Sequence, residues 1–415
     1  MNDQTLNGPD APRGCPVAHG GAELARLYGP DAATDPQAIY ERLRKEHGSV
    51  APVLLEGDVP AWLVLGYRES RRVLNNPSQF PRDARTWRDW QEGRIAETSA
   101  LIPMLAWRPD CVSQDGEPHR RLRGAVNDVL QAAVGRGIRR HATHFANKQI
   151  DGFAADGRAD LVADYADYVP MLVMSRVLGL AEAQGRRLVE ACLGVLRGGA
   201  EALVHDGVIR EILRELVERR QSEPGSDLAS DLLEHHAALD HDEVVDHLRM
   251  VMIAAAVTTN LLARVLRLVL TDASRLSGLI GGQLNISAVM EEAMWNSPPL
   301  TVLPGRFAAG DVELGGHRIE GGDLLVLGLA PGNFDPEVRP DPHVSVEGNQ
   351  AHLAFGSGPH ECPGQGMGQS MIEIAVDVLL HRLPGLRLAV EADELTSTAS
   401  TWESRLDRLP VEFPV

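Results

Sequence analysis

Apolar residues recur at three- and four-residue spacing through the middle of the chain, from Gly116 to about Leu270, with helical stripes in Leu122–Val134, Tyr165–Leu178 and Val208–Leu216. The longest stripe begins near Asp240, where Asp240 and Glu243 have the spacing of a capping box, and runs to Leu270 without Gly or Pro. At 1.5 Å per residue it predicts a helix of roughly 45 Å. Its run Met250–Val257 has the apolar character of a membrane span, but Arg249, Asn260, Arg264 and Arg267 interrupt the stretch, so a buried central helix is expected. Ahead of this region, Pro36–Arg44 predicts a short helix, and Val50–Leu55 and Ala61–Leu65 predict a hairpin around Gly57 and Asp58. After Pro298 the pattern changes to short β segments around Gly315, Gly316, Gly321 and Gly322, then to a Pro/Gly/Asn-rich stretch from Pro331 to Gln350. A helix from Gln365 to Leu383 ends at Pro384, and Leu386–Val415 reads as strands and turns. The expected class is mainly α with small β-sheets.

Composition narrows the functions. Residues 1–21, rich in Gly, Pro and Asp, predict a disordered lead, and no linker divides 22–415, which is expected to form one domain. A hydrophobic share of 44% against 24% charged residues predicts a folded chain. The net charge of −18, with no local basic patch, disfavours nucleic acid and anionic membrane partners and leaves a small neutral substrate. Cys15, Cys111, Cys192 and Cys362 form no C-x-x-C pair, so a reducing, cytoplasmic setting is expected.

The most informative stretch is Phe355-Gly356-Ser357-Gly358-Pro359-His360-Glu361-Cys362-Pro363-Gly364, a glycine-punctuated loop that delivers one cysteine just before a helix. Glycines permit positive φ and close backbone approach to a flat ligand. The following helix turns its positive end and free N–H groups toward the sulfur, which favours a thiolate. The spacing resembles the F-G-x-G-x-H-x-C-x-G signature of the cytochromes P450, and the similarity runs from about Leu27 to Pro414.

That resemblance implies a P450 fold with its long helix over haem b, Cys362 as iron ligand, Phe355, Gly356 and Gly364 against the haem, and O2 as co-substrate. His119 and Arg123, in a match to H-x-R-L-R, with Arg306 and His360, would hold the haem propionates. Ala254-Ala255-Ala256-Val257-Thr258-Thr259 is similar to the family's A-G-x-[DE]-T-T and puts Thr258 at the proton-relaying alcohol, but Val257 replaces the acid. A second departure is Glu292-Ala293-Met294-Trp295, where the family's E-x-x-R has arginine in place of Trp295. The third member of that ion-pair cluster falls on Glu347. An unpaired buried Glu292 would cost several kcal/mol, so repacking around the Trp295 ring is expected.

The E-x-x-W form is similar to actinobacterial members that tailor natural products, including cyclodipeptide-coupling enzymes, with ferredoxin as electron donor. Trp87, Trp90 and Trp107 fall in the segment that roofs the haem in the family, and Ala254, Val257, Leu300, Thr301, Val302 and Trp402 fall where it lines its pocket. Aromatic walls suit a flat heteroaromatic substrate. The expected activity is oxidative C–C or C–N coupling of a tryptophan-containing cyclodipeptide. The alternatives are C–H hydroxylation of another secondary metabolite and haem binding without catalysis.

Overall fold

The computed structural model describes residues 24–341 and 343–415; the lead at 1–21 lies outside them. Helices make up most of the described chain, and a five-stranded sheet lies to one side. Its strands are β1 (Ala25–Arg26), β2 (Val50–Leu55), β3 (Val59–Val64), β4 (Val302–Phe307) and β5 (Leu324–Gly328), in the order β1-β2-β3-β5-β4. Strands β2 and β3 form the expected hairpin, with Gly57 and Asp58 both at positive φ in its turn. Strand β4 runs antiparallel to β5, but its register slips between Leu303 and Arg306, a bulge carried by Gly305 at φ +65°.

The central helix is His241–Leu270, capped as its sequence predicts: Asp240 Oδ1 accepts from the Glu243 amide at 2.8 Å and Glu243 Oε2 from the Asp240 amide at 3.0 Å. It is long and apolar enough to cross a membrane, yet 72% of its most apolar window is buried inside the protein. Helices Val169–Leu178, Glu182–Arg197, Ala202–Ser222, Ile286–Asn296 and Gln365–Arg382 pack around it. The polar residues that interrupt it are tied to neighbours: Arg249 Nε reaches Asp206 at 2.5 Å, and Asn260 Nδ2 donates to the Pro299 carbonyl at 3.0 Å.

One helix departs from its predicted bounds. The stripe Tyr165–Leu178 divides into a π-helical turn, Val162–Ala166, and an α-helix that starts at Val169. Pro170 causes the break, because a residue without an N–H and with fixed φ is accommodated in a first turn but not within a helix.

Around Trp295 the repacking has a definite form. The indole is buried, its Nε1 donates to the Asn349 carbonyl at 2.6 Å, and the Arg339 guanidinium lies 5.8 Å from its ring centroid. Glu292 pairs with Arg275 at 3.0 Å, and the exposed Glu347 takes no part. Buried Glu291 instead accepts from the Gly348 amide at 2.9 Å and from Gln350. A relocated Glu292–Arg275 ion pair, a cation–π contact and hydrogen bonds thus take the place of the family's ion-pair cluster. Trp295→Ala should remove about 3–5 kcal/mol of stability, measured as a lower urea midpoint. Loss of less than ~1 kcal/mol would mean that the ring does not organise this region.

Candidate active site

The cysteine loop is shaped by its own backbone. Gly356 and Gly358 have φ +71° and +74°, and a Cβ on Gly358 would meet the Leu74 carbonyl at 2.9 Å, so both positions demand glycine. The Cys362 amide donates to the Phe355 carbonyl at 2.9 Å, folding the loop back on itself just before the helix Gln365–Arg382. Burial pushes the Cys362 thiol up, while the amides of Gly364 and Gln365 and the charge of Arg123 pull it down. Burial outweighs these, so the chain by itself favours the protonated thiol.

Cys362 opens onto an internal cavity of about 300 Å³. The central helix supplies one wall through Met250, Ala254, Val257, Thr258 and Leu261, a single stripe at helical spacing. Phe355, Gly356, His360 and Gly364 surround the cysteine, and Leu300 and Leu303 close another side. Among the described residues that line the cavity none is Asp or Glu. The Thr259 hydroxyl donates to the Ala256 carbonyl of its own helix at 2.7 Å. Thr258 makes no such bond among the described contacts and lines the cavity, where a Cβ on Gly368 would stand 3.6 Å from its Oγ1.

The cations gather at one end. Arg306 is 2% exposed, and its Nε and Nη1 are buried without a hydrogen-bond partner, as is Nε2 of His119. Burial holds Arg306 well below the usual arginine range, and the nearby Arg82 adds to the effect. Arg123 also lines the cavity and donates to the Glu361 carbonyl. The His119 and His360 rings lie 4.2 Å apart, and burial pushes both imidazoles toward the neutral form. His360 Nε2 lies 2.9 Å from Asp115 Oδ1. Burial alone would raise Asp115, but His360, the Arg82 amide and Arg306 bring it below the ordinary carboxylate range. At this end Arg82 is answered by Asp110 and Asp115, Arg306 has Asp115 beside it, and Arg123 lines the cavity. The unpartnered Arg306 donors, with Arg123 lining the same cavity, fit a flat ligand that carries carboxylates, as haem b does.

Several expected pocket residues are elsewhere. Trp87 is buried in the core with its ring 5.8 Å from Phe307. Trp90 and Trp107 pack on the same cluster, with Arg85 stacked 4.4 Å from the Trp107 ring. Trp402 is buried there too, and its carbonyl accepts from the amides of Thr301 and Val302. This pairing turns Val302 into the core and holds the Thr301 hydroxyl on the Trp402 carbonyl at 3.1 Å, leaving Leu300 and Leu303 to face the cavity. Sequence pattern missed Arg82, Cys111 and five lining methionines, Met174, Met250, Met294, Met367 and Met371. The methionines lie within apolar helical stripes, where nothing separates a core residue from a cavity wall.

No family model matches the chain. It is 30% identical over 408 residues to the mycinamicin IV hydroxylase/epoxidase of Micromonospora griseorubida, covering 95% of this chain and 96% of that protein. It is 29% identical over 396 residues to the cytochrome P450 monooxygenase PikC of Streptomyces venezuelae, covering 93% and 92%. Among solved structures, CYP154A1 from Streptomyces coelicolor superposes with a TM-score of 0.83 at 26% identity, over 94% of this chain and 100% of that one.

Arg306→Leu replaces a buried cation two of whose nitrogens lack a hydrogen-bond partner among the described residues. It should raise the stability of the haem-free protein by about 1–3 kcal/mol and weaken haem uptake. A fall in haem-free stability on denaturant titration would show that the guanidinium serves the protein core instead.

Proposed function

The chain belongs to the cytochrome P450 family, and on that premise we propose that Cys362 ligates the haem iron of an oxygenase that tailors an apolar secondary metabolite. It is a haem- and O2-dependent oxidoreductase that works on a small molecule with a redox partner. The observation that carries the site assignment is the meeting, in one cavity, of the Cys362 loop, the unpartnered donors of Arg306, and Thr258, with His119 packed behind His360.

In this reading Arg306, Arg123, His119 and His360 hold the propionates by charge-assisted hydrogen bonds. Haem bound there supplies oxygen activation, promoted by the electron-rich thiolate. Met250, Ala254, Val257 and Leu300 hold the apolar substrate and exclude water. Thr258 holds a water or a substrate donor at Oγ1 and passes its proton inward. With Val257 at the acid position, ordered water or a polar group on the substrate is the proton source.

The finer assignment is oxidative C–C or C–N coupling of a tryptophan-containing cyclodipeptide, with a ferredoxin as electron donor and the cytoplasm as location. The E-x-x-W form and a wall free of carboxylates support a neutral, flat, N–H-bearing substrate. The tryptophans no longer do, since they pack into the core. A second reading, C–H hydroxylation, is favoured by relatives named as hydroxylases, including a hydroxylase/epoxidase.

Cys362→His should abolish the thiolate-type Soret shift of the reduced carbon monoxide complex that the native chain gives. Tryptophan-containing cyclodipeptides should convert the native ferric iron from low to high spin, and ferredoxin-driven turnover should yield coupled product. A flat spin-state titration across such a panel removes the cyclodipeptide, and a hydroxylated product selects the second reading.

A further inference from the structure

Arg82 has no part in the motifs above, yet it touches each element that shapes the cationic end of the cavity. The segment before it runs beside strand β4: the Phe307 amide donates to the Pro81 carbonyl at 3.0 Å and the Ala309 amide to the Gln79 carbonyl at 2.9 Å. This places the Arg82 side chain at the bulge where β4 slips its register. Its Nη1 donates to the Gly305 carbonyl at 2.8 Å and to that of Pro304, and its Nε donates to Val112 at 3.1 Å in the segment over the cavity. Its main-chain amide donates to Asp115 Oδ2 at 2.7 Å, while Oδ1 of the same carboxylate meets His360. Asp115 stands at the N-cap of the helix Gly116–Gly135 but makes no capping bond, because its side chain is committed to these two partners.

We propose that Arg82 is the positioning residue of the haem cradle: it holds the bulge that turns Arg306 into the cavity and the carboxylate that orients His360. The proposal rests on the reading of Cys362 as haem ligand. A bulge takes backbone carbonyls off the sheet ladder, and buried carbonyls without donors are costly. The planar guanidinium reaches the Pro304 and Gly305 carbonyls and Val112 at once, which the point charge of a lysine cannot do. A second guanidinium beside Arg306 is unfavourable unless anions share the pair, and Asp110 and Asp115 do so from the protein side.

The test compares haem-loaded native protein with Arg82→Lys and Arg82→Gln, following the rate of haem loss to excess apomyoglobin, the ferric/ferrous potential and the thermal midpoint. Arg82→Lys keeps the charge and loses the fork, so haem should leave about tenfold faster, the loss of roughly one charge-assisted hydrogen bond, at nearly native potential. Arg82→Gln loses both, so haem should leave faster and the potential should fall, since a cation near the iron favours the reduced form less once removed. Native haem-loss rates in both variants overturn the inference. So does faster loss with an unchanged potential in Arg82→Gln, because a purely structural role would leave the potential alone. If Arg82→Gln does not fold, Arg82→Lys alone decides by its haem-loss rate. Failure of the underlying ligand assignment is read separately, as a native protein whose carbon monoxide complex has no thiolate signature.

Discussion

The guanidinium of Arg306, buried with two nitrogens lacking a hydrogen-bond partner among the described residues, sets the terms for the elements around it. Removing such a charge from water costs several kcal/mol unless something of opposite sign answers it. Asp115 is the carboxylate that acts on it, and it is shared with His360 and the Arg82 amide. The bulge in β4, the segment alongside it and the start of the helix Gly116–Gly135 all converge to hold the cation where it is. Local structure committed to a buried cation with free donors suits an anionic ligand in the cavity.

The cysteine loop was legible in the sequence because its chemistry is local: ten consecutive residues carry the turn glycines, the sulfur and the helix start. The central helix was legible for the same reason, since its capping box and apolar period are written within the segment. Arg82 was not, because its role arises only where its segment meets the bulge of β4, more than two hundred residues later. The tryptophans misled for a related cause. Trp87, Trp90, Trp107 and Trp402 were placed by family position, but which way a ring points is decided by packing against β-sheet neighbours such as Phe307. Trp295 was readable in part: the missing arginine forecast repacking, but the arrival of Arg339 over its ring had no local signature.

The lining that replaces the tryptophans changes what the cavity can select. Methionine side chains are flexible and polarizable, so a wall with five of them adapts to several apolar shapes where rigid aromatic walls would favour one. Specificity must then come from the few polar groups present. On the central-helix wall that group is Thr258, which lines the cavity while the Thr259 hydroxyl bonds its own helix. With no carboxylate among the described lining residues to compete for it, a donor or acceptor on the substrate becomes its natural partner. In the proposed reading, binding orientation and proton supply then depend on one hydrogen bond. A substrate able to make it would be held with its polar atom at Thr258 and its apolar body against the methionines, and one unable to make it would bind without a fixed orientation.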